Sequence, residues 1–364
     1  MEYVQERVTT LHDFGDVHPP APTERATVVV PMTERDQASL AAERVLRTLE
    51  RVDPERVVVA LRATPAEIAD VVSWVDGFDL NVEVLWCTAP RVESLLVDSG
   101  LDGKTGKGRD VWLALGVAAD SEYVVVHDAD AKTYTDAHVP KLLFPLANGH
   151  DFAKGYYARV ENGRLYGRLF RLFYAPLVRA LAETEEDPIV EYFDAFRYGL
   201  AGEFAVTGDV ARQLRAQRSW GLEVGTLGEA YRLAGFERSA QVDLGVHEHD
   251  HRSVGGPQGL GDMCREVGSA LFRALADAGV SPEYADLTVA YREQATRLVE
   301  QYATDAAFNG LTHDRTGERE QVETYATAIE PPSEDCRLPA WTDTPLAPEA
   351  VLERSRDAIA DAIE

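Results

Sequence analysis

Two aspartates separated by one residue, Asp128 and Asp130, follow the apolar run Tyr123-Val124-Val125-Val126. An Asp-x-Asp pair offers hard oxygen ligands to a divalent cation, and the cation can in turn neutralise a phosphate or diphosphate. One helix earlier, Thr105-Gly106-Lys107-Gly108 supplies a point charge between glycines, a composition suited to close approach of a backbone to an anion. Two further carboxylates, Glu203 after Gly202 and Glu223 after Gly221, stand beside glycine turns and suit the gripping of sugar hydroxyls. His247, His249 and His251 alternate, so in an extended segment they share a face. Three readings stay open: a zinc site of their own, a source of one histidine that completes the coordination of the Asp130 metal, or individual surface and hydrogen-bonding residues. Arg164 and Arg252 offer the forked donors that bind a carboxylate or phosphate.

These residues need a scaffold that brings them to one place. A short strand is predicted over Ala26–Val30 and stopped by Pro31, with a helix over Arg35–Arg51, a strand over Arg56–Leu61, a helix over Pro65–Val75 and a strand over Asn81–Cys87. Strands alternating with helices of this size imply a parallel sheet with crossover helices. A polar loop at Gly100–Gly108 then leads into a helix over Asp110–Ala119 and the Tyr123 strand. In such sheets ligands gather at the carboxyl ends of the strands, where Asp128, Asp130 and the Lys107 loop fall. The second half is predicted to hold a helix over Val139–Leu146, a strand over Phe152–Tyr157, a helix over Leu165–Glu183, a turn at Gly199–Ala205 that enters a strand or short helix, and a helix over Leu222–Ala234. From Leu260 to Ala307 the pattern is helical, and a Pro-rich surface loop at Pro331–Pro345 precedes a final amphipathic helix from Pro348. The expected organisation is an extended arm over 1–24, a catalytic domain over 25–258 and a helical cap or dimerisation region over 259–364.

Several function classes are disfavoured. The first strand runs into Pro31-Met-Thr-Glu34 rather than a glycine-rich turn, so a dinucleotide site is not expected there. Gly103-Lys104-Thr105 lacks the earlier glycine of a phosphate-binding loop, since that position is Asp98. Against 62 acidic residues stand 36 lysines and arginines, a net charge of -26 that argues against nucleic acid or an anionic membrane as partner. A surface so acidic fits a salt-adapted cytoplasm, where screening weakens its self-repulsion. The three cysteines, Cys87, Cys264 and Cys336, show neither zinc spacing nor a disulfide framework. No stretch approaches the roughly 18 apolar residues of a membrane span, so a cytoplasmic protein is expected.

Taken in order, Gly106-Lys-Gly108, Asp128-Ala-Asp130, Lys154-Gly-Tyr-Tyr157, Leu200-Ala-Gly-Glu203, Trp220-Gly-Leu-Glu223 and Gln241-Val-Asp-Leu-Gly245 with the following His249 resemble the glucosyl-3-phosphoglycerate synthases. These are retaining glycosyltransferases of the GT-A fold, and the chain resembles the mannosylglycerate synthases more distantly. The resemblance runs from about Ala26 to Met263. It implies an α/β GT-A fold, a Rossmann-like, mostly parallel sheet with flanking helices and a helical C-terminal region. It places Pro31 and Glu34 at the uracil and ribose pocket, Lys107 on nucleotide or diphosphate, and Asp128 near ribose and sugar. Asp130 and His249, with Asp128 beside them, correspond to the holders of Mg2+ or Mn2+. Gly202, Glu203 and Glu223 fall at the donor sugar, with Glu223, Lys107 and Asp130 the catalytic set, and Arg164 and Arg252 at the acceptor.

The implied reaction moves a hexose from a nucleotide sugar, UDP-glucose foremost, to a small anionic acceptor in compatible-solute synthesis, by an enzyme that forms homodimers. A metal with Lys107 would stabilise charge on the departing diphosphate. Tyr166 stands where the synthases carry an acceptor-loop threonine, so the acceptor stays open between 3-phosphoglycerate and a related small hydroxy acid. The donor stays open among UDP-glucose, GDP-glucose and GDP-mannose. A mannosylglycerate-type synthase, a metal-dependent sugar nucleotidyltransferase and a non-catalytic sugar or metal binder are the alternatives.

Overall fold

The valine-rich runs lie side by side in one eight-stranded sheet. The computed structural model describes residues 4–250 and 256–364. Its strands are β1 (Thr9–Leu11), β2 (Ala26–Thr33), β3 (Arg56–Arg62), β4 (Val82–Trp86), β5 (Tyr123–Val126), β6 (Phe152–Ala158), β7 (Val160–Glu161), β8 (Arg164–Leu165), β9 (Phe204–Thr207) and β10 (Ser239–Val246). The order across the sheet is β1-β10-β6-β9-β5-β2-β3-β4, and β7 and β8 form a separate hairpin. Only β9 runs antiparallel to its neighbours β5 and β6; every other pair in the sheet is parallel. Helices on both faces exclude water from the inner strands. Val28–Val30, Val57–Val59 and Val124–Val126 are accordingly all fully buried, as continuous rather than alternating apolar runs require.

The chain builds outward from β2 through β3 to β4, then returns to lay β5 on the other side of β2. That reversal opens a crevice at the carboxyl ends of β2 and β5, the place where sheets of this kind bind ligands. Because β9 is antiparallel, its amino end points to the same edge. The turn carrying Gly202 and Glu203 therefore joins the residues that follow β2, β5, β6 and β10.

Some predicted elements differ in the structure. Pro31 does not stop β2, which pairs with β3 as far as Thr33. The His127 N–H donates to Val29 O at 3.0 Å, so Val29 and, by alternation, Pro31 face the β5 side, where the pairing has already ended. The missing proline N–H costs the sheet no bond. The helix expected over Arg35–Arg51 is divided: a 3-10 turn covers Glu34–Ala38, and Ser39 then caps a helix over Leu40–Val52 by accepting from the Ala41 N–H. The helix expected from Pro65 starts at Ile68. A helix over Pro90–Asp98, started by its own proline, went unpredicted. Leu165 belongs to the hairpin rather than to a helix, and a π-helical turn at Phe170–Tyr174 leads into the helix Ala175–Thr184. The predicted arm contributes β1, which pairs with β10 at the sheet's edge.

The C-terminal third is helical over Gly256–Asp277, Tyr284–Phe308, Arg315–Ala326 and Pro348–Ile363. The last of these covers the exposed side of edge strand β4, where the Trp86 N–H donates to Ser355 Oγ at 2.8 Å. The Pro-rich loop wraps the surface as predicted and sets Trp341 on Trp112, with ring centroids 4.4 Å apart. Each indole N–H is satisfied, Trp112 by Pro339 O at 2.7 Å and Trp341 by Trp112 O at 2.8 Å. Among the described residues no helix is long and apolar enough to cross a membrane.

Candidate active site

Lys107 is the first residue of the helix Lys107–Ala118, and its ammonium lies between two carboxylates. Nζ is 2.6 Å from Asp128 Oδ1 and 3.1 Å from Glu223 Oε1. Burial works against the charged lysine, yet Asp128 and Glu223 together hold its pKa well above the ordinary value. The three residues come from different elements. Lys107 is fixed by helix packing, Asp128 by the end of β5, and Glu223 by the first turn of the helix Leu222–Leu233.

The glycines around Lys107 have a different use from the one expected. A Cβ on Gly108 would collide with the Gln217 carbonyl, and one on Gly106 would stand 2.8 Å from Arg218 O. Their smallness lets the Gln217–Ser219 backbone lie directly on the loop, with the Arg109 N–H donating to Arg218 O at 2.9 Å. That contact is what carries Glu223 to Lys107. Gly221 at φ +92 turns the chain into the Glu223 helix, a conformation that favours glycine. The neighbouring Arg109-Asp110 pair is structural. The Asp110 carboxylate takes Arg62 Nη2 at 2.7 Å and Nε at 2.9 Å, tying the helix start to the end of β3, and Arg109 pairs with Glu93 at 2.8 Å.

Asp128, Asp130 and His249 bring one ligand atom each to within 4.8 Å of one another. The His249 segment is laid against the post-β5 loop by an Ala131–His249 bridge, with the Asp250 N–H on Asp130 O at 2.7 Å. The His249 N–H itself donates to the buried carboxylate of Glu161 at 2.8 Å. Burial and the adjacent Asp128 charge push Asp130 up to about 7. Two carboxylates and an imidazole in this spacing fit an octahedral hard divalent ion such as Mg2+ or Mn2+. Among the described residues no other group of three metal-binding side chains lies close enough to hold an ion. His247 turns inward instead, stacked on Tyr157 at 4.3 Å and 3.7 Å from Glu203 Oε1, and burial lowers its pKa to about 4. His251 and Arg252 lie outside the described residues, so the three-histidine arrangement cannot be assembled here.

Gly202 must be small, because a Cβ would collide with Asp128 Oδ2 and reach within 3.1 Å of Lys107 Nζ. Glu203 is fully buried behind it, and burial with the Asp128 charge raises it to about 7. Lys154, quoted above without a role, is also fully buried; its Nζ donates to Ala201 O at 2.7 Å and so holds the turn before Gly202. Burial lowers its pKa to about 8, against the pull of Glu223 and Glu203. Pro31 and Glu34 sit at the end of β2, and Glu34 accepts the Thr64 N–H at 2.7 Å, closing the loop after β3. Arg164 is exposed on the β7–β8 hairpin, whose other strand carries Glu161. The supporting residues Lys154 and Glu161 drew no functional reading from sequence, and His247, expected there with His249 and His251 as a metal-binding group, is a buried support stacked on Tyr157 instead. The only available signal was a lysine inside an otherwise apolar inner strand.

No protein-family model matches the chain. A glucosyl-3-phosphoglycerate synthase of Methanococcoides burtonii is 34% identical over 376 residues, covering 94% of this chain and 93% of that protein. The synthase of Persephonella marina is 36% identical over 292 residues, covering 75% and 72%. Among solved structures, glucosyl-3-phosphoglycerate synthase from Mycobacterium tuberculosis in complex with Mn2+, UDP-glucose and phosphoglyceric acid superposes with a TM-score of 0.57, at 24% identity over 76% of this chain and 89% of that one. The same enzyme with Mg2+ and UDP gives 0.57 at 23% identity, over 76% and 88%. These likenesses establish the GT-A architecture, and the extent of the sequence match establishes more: the chain belongs to the glucosyl-3-phosphoglycerate synthase family.

Proposed function

We propose that the protein is a divalent-metal-dependent, retaining glucosyltransferase that moves glucose from UDP-glucose to 3-phosphoglycerate. The observation that carries this is the junction of two groupings at the crevice. The Lys107 ammonium lies on Asp128, and Asp128 also belongs to the Asp128, Asp130 and His249 triad. A cation beside an ammonium, in a site walled by buried residues, is what a departing nucleoside diphosphate requires. Family relatives support the substrates: the Mycobacterium tuberculosis synthase has been captured with UDP-glucose and phosphoglyceric acid, and with Mn2+ or Mg2+.

In this reading Asp128, Asp130 and His249 hold Mg2+ or Mn2+, which supplies charge neutralisation at the diphosphate. Lys107 contributes a fixed positive charge on the same side, and Glu223, oriented by Lys107, grips the glucose hydroxyls. The Gly202 turn, held by Lys154, shapes the floor under the sugar. Pro31 and Glu34 border the nucleoside, and Arg164 and Arg252 serve the anionic acceptor. No carboxylate is assigned as a covalent nucleophile, since Glu223 is engaged with an ammonium and Glu203 is buried. Solubility in a salty cytoplasm agrees with the acidic surface.

The test is a panel of UDP-glucose, GDP-glucose and GDP-mannose crossed with 3-phosphoglycerate and glycerate, with and without Mn2+. Formation of glucosyl-3-phosphoglycerate from UDP-glucose, dependent on metal, is the expected result. Release of pyrophosphate from a nucleoside triphosphate, with no transfer from any donor, would instead make the protein a nucleotidyltransferase.

A further inference from the structure

The chain after the long helix Tyr284–Phe308 returns to the rim of the metal site. The Thr312 N–H donates to Gly163 O at 2.8 Å, and Thr312 forms a parallel bridge with Arg164, so this segment lies along the β7–β8 hairpin. The next helix, Arg315–Ala326, then presents Glu318, only 3% exposed, to the buried Arg171. The pair is two-pronged: Arg171 Nη2 donates to Oε1 at 2.7 Å and Nη1 to Oε2 at 3.2 Å. The same guanidinium turns its remaining donors to the hairpin's exit, with Nε on Tyr166 O at 3.0 Å and Nη2 on Leu165 O at 3.4 Å. His313 Nε2 meets Glu318 Oε2 at 2.9 Å, and the Tyr302 ring lies 4.8 Å from the guanidinium carbon.

One buried arginine thus joins the carbonyls that end the hairpin to a carboxylate 147 residues further along the chain. A planar fork saturated on both sides has little freedom to move, so the pair fixes position even where it adds little stability. At its other end the same hairpin holds the metal-site segment, through Glu161 on the His249 N–H. The hairpin is therefore suspended between the metal site and the C-terminal helices. The nucleotide end of the crevice is held separately, by the Lys107 ammonium between Asp128 and Glu223 at the starts of two helices and the end of β5.

We propose that Glu318 and Arg171 are positioning residues for the second substrate, setting the β7–β8 hairpin and Tyr166 at the distance from the metal site that an anionic acceptor needs. This rests on the glucosyl-transfer reading and on its placing of the acceptor at the hairpin. The C-terminal helices then act on acceptor recognition without touching the acceptor.

The test uses the full-length enzyme with Mn2+ and the near-isosteric Glu318→Gln, with Arg171→Lys as a second variant that keeps charge and loses the fork. The expected result is a rise of about tenfold or more in KM for 3-phosphoglycerate, with KM for UDP-glucose and acceptor-free UDP-glucose hydrolysis within about twofold of wild type. Hydrogen exchange at residues 160–167 is expected to speed up by about tenfold in both variants. Equal rises in both KM values, or hairpin exchange unchanged from wild type, would overturn the proposal. If the wild type transfers from no nucleotide sugar, the activity reading fails on its own, while the exchange measurement still decides whether the clamp holds the hairpin.

Discussion

Lys107 is held between Asp128 and Glu223, and removing it exposes two carboxylates to each other's charge. Lys107→Ala is expected to lower kcat by about a hundredfold, with Mn2+ still bound, as steady-state rates and direct Mn2+ titration would show. Glu203 carries a pH dependence whose sign follows from its raised pKa. The unfolded chain ionises this group near the usual glutamate value while the folded protein keeps it protonated until about pH 7, so stability falls as pH rises between those limits and levels above. Glu203→Gln removes that contribution. Its stability relative to metal-free wild type should therefore climb by up to about 3 kcal/mol from pH 5 to 8, read from denaturant unfolding. At this scale the sequence showed the residues whose type announces chemistry, namely Asp128, Asp130, Lys107, Glu223 and His249. Lys154, Glu161 and Glu318 escaped it because each depends on being buried beside a particular backbone group, and only the folded chain makes that neighbour.

Elements were legible where periodicity was strong and obscured where local chemistry cut across it. The β5 run and the helix Leu222–Leu233 were readable from apolar pattern, whereas the Ser39 cap that splits one predicted helix and the π-helical turn before Ala175 are set by a few hydrogen bonds. Pro31 shows the opposite error, a breaker residue made harmless by the end of its partner strand. Pro31→Ala should accordingly cost only about 0.4–1 kcal/mol, through unfolded-state freedom, and leave the sheet intact by circular dichroism. Gly108 is less forgiving. A methyl there meets the Gln217 carbonyl, so Gly108→Ala is expected to destabilise by about 1–3 kcal/mol and to lower activity by displacing Lys107 from Glu223, measurable as Tm and kcat.

For the whole molecule, the charge of -26 sets behaviour that no single contact explains. Self-repulsion of an acidic surface weakens as added salt shortens the range of the field, to about 3 Å at 1 M. The melting temperature should rise between 0.1 and 2 M KCl in a way that Asp130→Ala leaves unchanged, because that dependence belongs to the surface and not to the site. A mostly parallel sheet and the family were both foreshadowed by the motifs and their order along the chain, but the strand order with its antiparallel β9 and the use of the C-terminal third were not. Helical periodicity from Leu260 onward says that apolar faces exist, and says nothing of Ser355 covering β4 or Glu318 holding the hairpin. The central claim is that Asp128, Asp130 and His249 hold the metal through which a nucleotide sugar reacts. It is met most directly by assaying transfer from UDP-glucose to 3-phosphoglycerate in Asp130→Ala beside wild type, each with Mn2+ and with chelator. Wild type should turn over with metal only and the variant should lose about a thousandfold; undiminished transfer by Asp130→Ala in metal-free buffer would contradict the account.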